Sequence, residues 1–308
     1  MVVPSYNHAR FVETTLRSIA RQTTPPKELL VIDDGSNDDS PRIIERVLRD
    51  FPFPSELIAR NNRGLCATLN EGLAKTNGKY FAYLGSDDLW LPEFLSERVQ
   101  LLESRANAVL AYGHAFFIDD ENRVVDCTAD WASYVDGDVR SMLLKTIGPM
   151  SPTVVYCRSA LDNQHWNEQA RLEDYDLYLR LSEAGPFAFD PQILSAWRRH
   201  SSNVSWDQML MLDEQLRAQR EAAVRFGMSG QEIAKLQKTT RFARAEDFMR
   251  VGEKSRALRL MLANLGGANS FSATGRMLVR LLTPYALIER RRARRQKEAT
   301  QRHGILEV

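Results

Sequence analysis

The chain has 308 residues, 44% hydrophobic and 26% charged, with 41 basic against 40 acidic side chains for a formal net charge of +1. This length suits one large domain plus an appendage, and the composition excludes a disordered or fibrous chain. The even charge balance gives no global pull toward nucleic acid, so any electrostatic targeting is local. Cys66, Cys127 and Cys157 form no CxxC pair and no secretory segment precedes them, which points to a reducing, cytoplasmic setting. No uninterrupted apolar run of about 18 residues occurs, so membrane contact is expected to be peripheral only.

Up to about Leu102 short apolar runs alternate with helical periodicity, the pattern of βαβ units around a mostly parallel sheet. Met1–Val3 reads as a first strand ended by Pro4. It is shorter than the typical strand of about five residues, so either the natural start lies upstream or the strand is completed poorly. A helix over Arg10–Arg21 turns Phe11, Leu16 and Ile19 inward. The second strand, Glu28–Ile32, runs into Asp33-Asp34-Gly35-Ser36, and a helix over Ser40–Leu48 has Pro41 at its first turn. Leu57–Ala59 reads as a strand, Gly64–Lys75 as a helix, Tyr80–Leu84 as a strand ending at Gly85-Ser86-Asp87-Asp88, and Leu91–Leu102 as a helix. Further on, Val109–Ile118 and Thr153–Cys157 read as strands and Asp174–Glu183 as a helix. Beyond about Ser205 long amphipathic helices take over, near 207–226, 230–251, 254–265 and 274–297, with glycines between them. The expected division is therefore an α/β domain over 1–205 and a helical extension over 206–308.

Three polar clusters follow strands directly: Pro4-Ser5-Tyr6-Asn7, Asp33-Asp34-Gly35-Ser36 and Ser86-Asp87-Asp88. In an open α/β sheet such loops meet beyond the carboxyl ends of the strands and line one crevice. Neither a G-x-G-x-x-G nor a Walker-type loop is present to cradle phosphate. Paired acids repel phosphate but hold Mg²⁺ or Mn²⁺, which bridges to a diphosphate. Tyr6 offers a flat face and Asp34 an acceptor for a base N–H, a combination that suits uracil or thymine.

The segments PSYN, IDDGSNDDS, NRGLCATLNEGL, YLGSDDLW and LEDYDLYLRL, in this order, resemble glycosyltransferase family 2 over roughly residues 1–205. The resemblance implies a GT-A fold, an inverting transferase and a nucleoside-diphosphate sugar donor, UDP- or dTDP-linked on the base pocket above. It also implies roles by position. Pro4 and Tyr6 bind the base, Asp34 holds its N–H, Arg63 lies near the donor, and Asp87 approaches the ribose or sugar. Asp88 binds the metal, His200 of WRRHSSNVS touches metal or diphosphate, and Asp174 of the Glu173-Asp174 pair acts as general base on the acceptor hydroxyl. Gly85 departs from the pattern, since many relatives carry another Asp there, which weakens the case for metal. The expected acceptor is a saccharide or lipid-linked saccharide in surface-polysaccharide assembly, at the inner face of a membrane.

Each motif also has a plainer reading. Asp33–Ser36 is a common turn, Asp87-Asp88 and Glu173-Asp174 suit helix starts, and His200 beside Arg198 and Arg199 suits a solvated patch. Tyr6 is either core or base platform, and Trp131, Trp166, Trp197 and Trp206 are either core or a sugar subsite. The basic amphipathic segment 274–297 either lies on an anionic membrane or docks on the catalytic domain. A catalytically silent nucleotide-sugar-binding or scaffold protein of the same fold is the alternative function. A nucleotidyltransferase is disfavoured, because Ser5–Ala9 lacks the Gly- and Lys/Arg-rich loop such enzymes place after the first strand.

Overall fold

The structure is a computed structural model describing residues 1–200, 208–268 and 270–307. The elements in chain order are β1 (Val2–Ser5), α1 (Val12–Ala20), β2 (Leu29–Asp33), α2 (Ser40–Leu48), β3 (Ser55–Ala59), α3 (Leu65–Lys75), β4 (Tyr80–Phe81), β5 (Leu89–Trp90) and α4 (Phe94–Ser104). They continue through β6 (Leu110–Ile118), β7 (Val124–Cys127), α5 (Arg140–Leu144), β8 (Val155–Cys157), α6 (Arg158–Leu161), α7 (Glu173–Ala184) and β9 (Phe187–Arg198). The extension comprises α8 (Gln208–Arg225), α9 (Gly230–Arg250), α10 (Lys254–Ala263), α11 (Phe271–Leu282) and α12 (Tyr285–His303).

β1, β2 and β3 form a parallel sheet, and β1 is joined on its other side by a parallel bridge between Val2 and Tyr83. The α/β class and the parallel first half expected from the βαβ pattern are therefore present. Pro4 does not end the first strand, which runs on to Ser5 and is buried throughout. Val2 bonds with Ala82 and Leu84 on one side; Pro4 faces the same way, at the level where that neighbour turns off into Gly85–Asp88, so its missing N–H costs little.

The second sheet runs β4-β8-β6-β9-β5 with β7 on β6, and only the β6–β9 pairing is parallel. β9, the longest strand among the described residues, was not legible in the sequence. Asp190-Pro191-Gln192 interrupts its pattern, and the pairing jumps there from Gly113↔Asp190 to His114↔Ile193. Leu89–Trp90, expected at the edge of a helix, is instead a short strand on β9, which delays α4 to Phe94.

Two cores flank the parallel layer. One gathers Val3, Leu16, Ile19, Val31 and Phe94, the other Val2, Ile32, Leu69, Phe81, Tyr156 and Trp166. The extension has its own core of Leu212, Leu216, Phe242, Phe248 and Met261, although Ala218 and Ala222 of α8 pack into the catalytic core. The expected single helix at 274–297 is two helices, because Pro284 cannot continue α11 and holds Thr283 extended at φ −65°, ψ 124°. The end of α12 returns to the catalytic domain. Gly304 accepts from the Val124 N–H at 3.1 Å, and the Leu306 N–H donates to the Asn122 carbonyl at 3.0 Å.

Candidate active site

The loops after β1, β2, β3 and Tyr83-Leu84 are stitched together at the carboxyl edge of the parallel sheet. Asn7, in the left-handed region at φ +55°, donates its N–H to Ser36 Oγ at 2.8 Å and accepts from the Asn37 N–H at 2.8 Å. Asp33 caps the same turn, its carboxylate accepting the Ser36 N–H at 2.9 Å and the Ser36 hydroxyl at 2.7 Å. His8 reaches the third loop, with Nδ1 2.8 Å from Ser86 Oγ. The crevice expected from three separate clusters is thus one physical place.

At one end of it Tyr6 stands 45% exposed, which removes the core-packing reading and leaves its ring available as a platform. Asp34 is buried and already engaged. It pairs with the Arg60 guanidinium and accepts the backbone N–H groups of Arg63 at 2.9 Å and Gly64 at 2.8 Å. A base N–H would share this carboxylate with those donors. Arg60, which the sequence did not single out, also bonds Glu71 at 3.0 Å and Thr68 at 2.8 Å. Arg63 itself is largely exposed at the rim.

The acids after Leu84 have different surroundings. Asp87 Oδ2 lies 2.8 Å from His200 Nε2, and Asp87 Oδ1 lies 3.7 Å from His8 Nδ1. One ligand atom from each of His8, Asp87 and His200 falls within 4.8 Å of the others. Two imidazoles and a carboxylate offer mixed nitrogen and oxygen donors to a divalent ion, the carboxylate being the donor that suits Mg²⁺ or Mn²⁺. Burial opposes ionisation of Asp87, but the His200 hydrogen bond and the charges of His8 and His200 outweigh it and hold the carboxyl below its ordinary range. Burial pushes His8 down.

Asp88 is turned away from this cluster. Its Oδ1 accepts the Arg198 backbone N–H at 2.9 Å and its carbonyl accepts Thr15 Oγ1 at 2.8 Å. Burial, and then the charge of Asp87, raise its carboxyl well above the usual range. The structure thus brings His200 together with Asp87 and His8, and gives Asp88 a bracing position behind them. Arg198 spans the site: Nε donates to the Asp87 carbonyl at 2.7 Å, and the other guanidinium nitrogens reach the Asp119 carbonyl and Asn122 Oδ1, each at 2.6 Å.

Asp174 stands in the first turn of α7, where the Tyr83 hydroxyl donates to its Oδ1. Burial raises its carboxyl to about 6, against the pull of Tyr83, Trp166 and Ser151, and burial with the charge of Asp174 raises Glu173 to about 8. Tyr83 lies two residues before Gly85, so the strand segment that delivers the Asp87 cluster also anchors Asp174. Of the tryptophans, Trp166 is buried against Phe81 and Tyr83, Trp131 is exposed near Phe117, and Trp197 packs edge-on to Phe117. Trp206 and residues 201–205 of WRRHSSNVS lie outside the described residues. His8 was signalled only by its place directly after PSYN, and Arg198 only as a neighbour of His200 within WRRHSSNVS.

A family model described as glycosyl transferase family 2 matches residues 1–163. Chondroitin synthase of Escherichia coli is 26% identical over 204 residues, covering 66% of this chain and 29% of that protein. The chain spans less than half the length of the first curated relatives it matches. Among solved structures, S. aureus TarS 1–349 in complex with UDP-GlcNAc is similar at 16% identity and a TM-score of 0.60, covering 100% of this chain and 92% of that one. The mannosyltransferase PcManGT from Pyrobaculum calidifontis, in complex with GDP-Man and Mn²⁺, is similar at 17% identity and a TM-score of 0.60, covering 98% and 85%. These structures share the GT-A architecture found here, and the match of the family model across more than half of the sequence identifies the chain as a member of glycosyl transferase family 2.

Proposed function

We propose that this chain is a cytoplasmic, inverting glycosyltransferase that moves a sugar from a nucleoside-diphosphate donor, UDP- or dTDP-linked, to a saccharide or lipid-linked saccharide in surface-polysaccharide assembly. The observation that carries the reading is Asp174. It is a carboxylate held near neutrality at about 6, fixed by Tyr83 on the strand segment that supplies the His8–Asp87–His200 cluster. The structures of relatives holding UDP-GlcNAc, or GDP-Man with Mn²⁺, support a nucleotide-sugar donor and a cation. Residues 1–205 form the catalytic unit in this reading and 206–308 the extension.

Asp174 takes the proton from an acceptor hydroxyl as its oxygen forms a bond to the anomeric carbon. The bond from that carbon to the phosphate oxygen breaks, and the nucleoside diphosphate leaves with the electron pair. Attack opposite the leaving group inverts the configuration. Tyr6, beside Pro4, stacks on the base; Asp34 and the rim residue Arg63 complete the nucleotide end. His8, Asp87 and His200 would hold Mg²⁺ or Mn²⁺, with Asp88 bracing the loop from behind. A bound cation would neutralise charge on the departing diphosphate.

The test is thermal stabilisation by UDP, dTDP, GDP and CMP with and without Mn²⁺, followed by release of nucleoside diphosphate from the matching sugar donor. A metal-dependent shift with one diphosphate, and turnover lost in Asp174→Asn, support the reading. Binding without turnover on any acceptor would give the function to the silent, scaffold alternative.

A further inference from the structure

The charge of this molecule is sharply segregated. Between residues 254 and 297 there are eleven Lys and Arg and one acid, Glu289, so this segment is +10 while the whole chain is +1, which leaves −9 for the rest. The same segment carries most of the exposed large apolar surface. On α11, Phe271 is 100% exposed, Val279 66% and Leu282 83%, with Leu278 at 46%. Their spacing puts them on one side of the helix. The other side is used, since Met277 is buried in the core of the extension and Leu281 packs against it. α11 is therefore apolar on two faces, only one of which has a protein partner among the described residues.

α12 continues the surface in a different chemistry. Tyr285 and Leu287 are exposed at its start, followed by exposed Arg290, Arg291, Arg292, Arg294, Arg295 and Lys297. No residue of this 19-residue helix is buried, so it gains nothing from a core until its end meets β7. A helix without an apolar stripe into a core is marginal alone in water and here bridges two parts of the molecule.

We propose that the exposed face of α11 and the basic α12 form a docking surface for an anionic lipid bilayer, with Phe271, Val279 and Leu282 entering the interface and the arginines meeting headgroup phosphates. Aliphatic side chains beside a dense positive charge match a surface that is apolar below and anionic above. A second copy of the chain is disfavoured, because it would bring two surfaces of +10 together. Nucleic acid would take the arginines but not the aliphatic stripe. Among the described residues no helix is long and apolar enough to cross a membrane, so the contact is interfacial. α12 then links the bilayer to the site, because the chain at its end bonds Asn122, which in turn accepts from Arg198. The inference is independent of the transferase reading.

The experiment is flotation of the full chain with vesicles of phosphatidylcholine alone and of phosphatidylcholine mixed with phosphatidylglycerol. Sedimentation velocity without lipid runs alongside, and far-UV circular dichroism checks that each variant is folded. Wild type is expected to float only with the anionic vesicles and to sediment as a single species at all concentrations. Arg290→Gln, Arg291→Gln and Arg292→Gln together should weaken partitioning about a hundredfold. Val279→Ser with Leu282→Ser should weaken it by about tenfold or more. All these positions are exposed, so the fold and the nucleotide-induced thermal shift should be unchanged. The proposal is overturned if anionic vesicles bind no protein, or if the serine variant binds as tightly as wild type, which would reduce the contact to charge alone. It is equally overturned if wild type self-associates and the serine variant does not, which would assign the face to a second copy.

Discussion

The backbone N–H of Arg198 donates to Asp88 Oδ1 at 2.9 Å while its Nε donates to the Asp87 carbonyl at 2.7 Å, so one residue from β9 braces both acids of the third loop. Asp88 spends its carboxylate on the protein, leaving Asp87 to face the imidazoles. Asp87→Ala is therefore expected to abolish cation-dependent thermal stabilisation. Asp88→Asn keeps an acceptor for the Arg198 N–H and should lose less than about tenfold in cation affinity. Calorimetric titration with Mn²⁺ separates the two, and equal losses would return Asp88 to the ligand set.

Gly85 gives the acid pair its room. A Cβ there would stand 2.9 Å from Asp87 Oδ1 and 3.2 Å from Asp88 Oδ2. Gly85→Ala should push Asp87 away from His200 and weaken Mn²⁺ binding by about tenfold, with little change in the melting temperature of the metal-free protein. Retained affinity would show that the loop shifts to accommodate the methyl group.

In the proposed general-base role, Asp174 links activity and stability in opposite directions. Its carboxyl titrates at about 6, so turnover should rise with pH through that region and level off above it, the apparent value belonging to the pair with Glu173. For stability the native state holds its proton more tightly than the unfolded chain, so the contribution is complete below about 4 and is lost as pH rises through about 6. The cost of ionising Asp174 in place is on the order of 3 kcal/mol. Asp174→Asn should therefore be inactive yet more stable than wild type at pH 8, with little difference at pH 4. Denaturant melts at both pH values decide this, and an unchanged difference would mean that the carboxylate is well solvated.

The parts of this site carried by contiguous motifs were legible in the sequence: Asp33–Ser36, Ser86–Asp88 and Glu173-Asp174 each sit where alternation of strand and helix puts them. What was missed depends on pairings over long sequence separation. Arg60 meets Asp34 26 residues earlier, and His8 meets Asp87 and His200 only because three loops fold over one another. β9 escaped because Asp190-Pro191 reads as a turn, whereas in the sheet it is a bulge within a continuous strand. Which of Asp87 and Asp88 faces the imidazoles lies in the direction of two adjacent side chains, which no spacing encodes.

Arg60 illustrates the energetic side of that hidden pairing. Its largely buried guanidinium joins Asp34 and Glu71, and removing it leaves two shielded carboxylates without the cation between them. Arg60→Ala should cost about 3 kcal/mol in urea unfolding, as expected for breaking a buried ion pair from one side. Arg63→Ala, at the exposed rim, should stay within about 0.5 kcal/mol while weakening nucleotide binding.

The far end of the chain bears on the same loop that holds Arg198. Leu306 packs with Phe116, Ile118 and Val124, and its N–H donates to the carbonyl of Asn122, whose side chain accepts from the Arg198 guanidinium. Leu306→Asp places a charge against that apolar cluster and should release residues 304–307 from β7. Freed of this support, the 119–123 turn holds Arg198 less firmly, and with it Asp87. The expected result is a several-fold loss of turnover together with weaker Mn²⁺ binding, and a stability loss of about 1–2 kcal/mol. Leu306→Met, which keeps the apolar contact, should restore all three. If turnover and Mn²⁺ affinity are unchanged while stability falls, the tail acts as a structural clasp alone and the path through Asn122 to the site carries no influence.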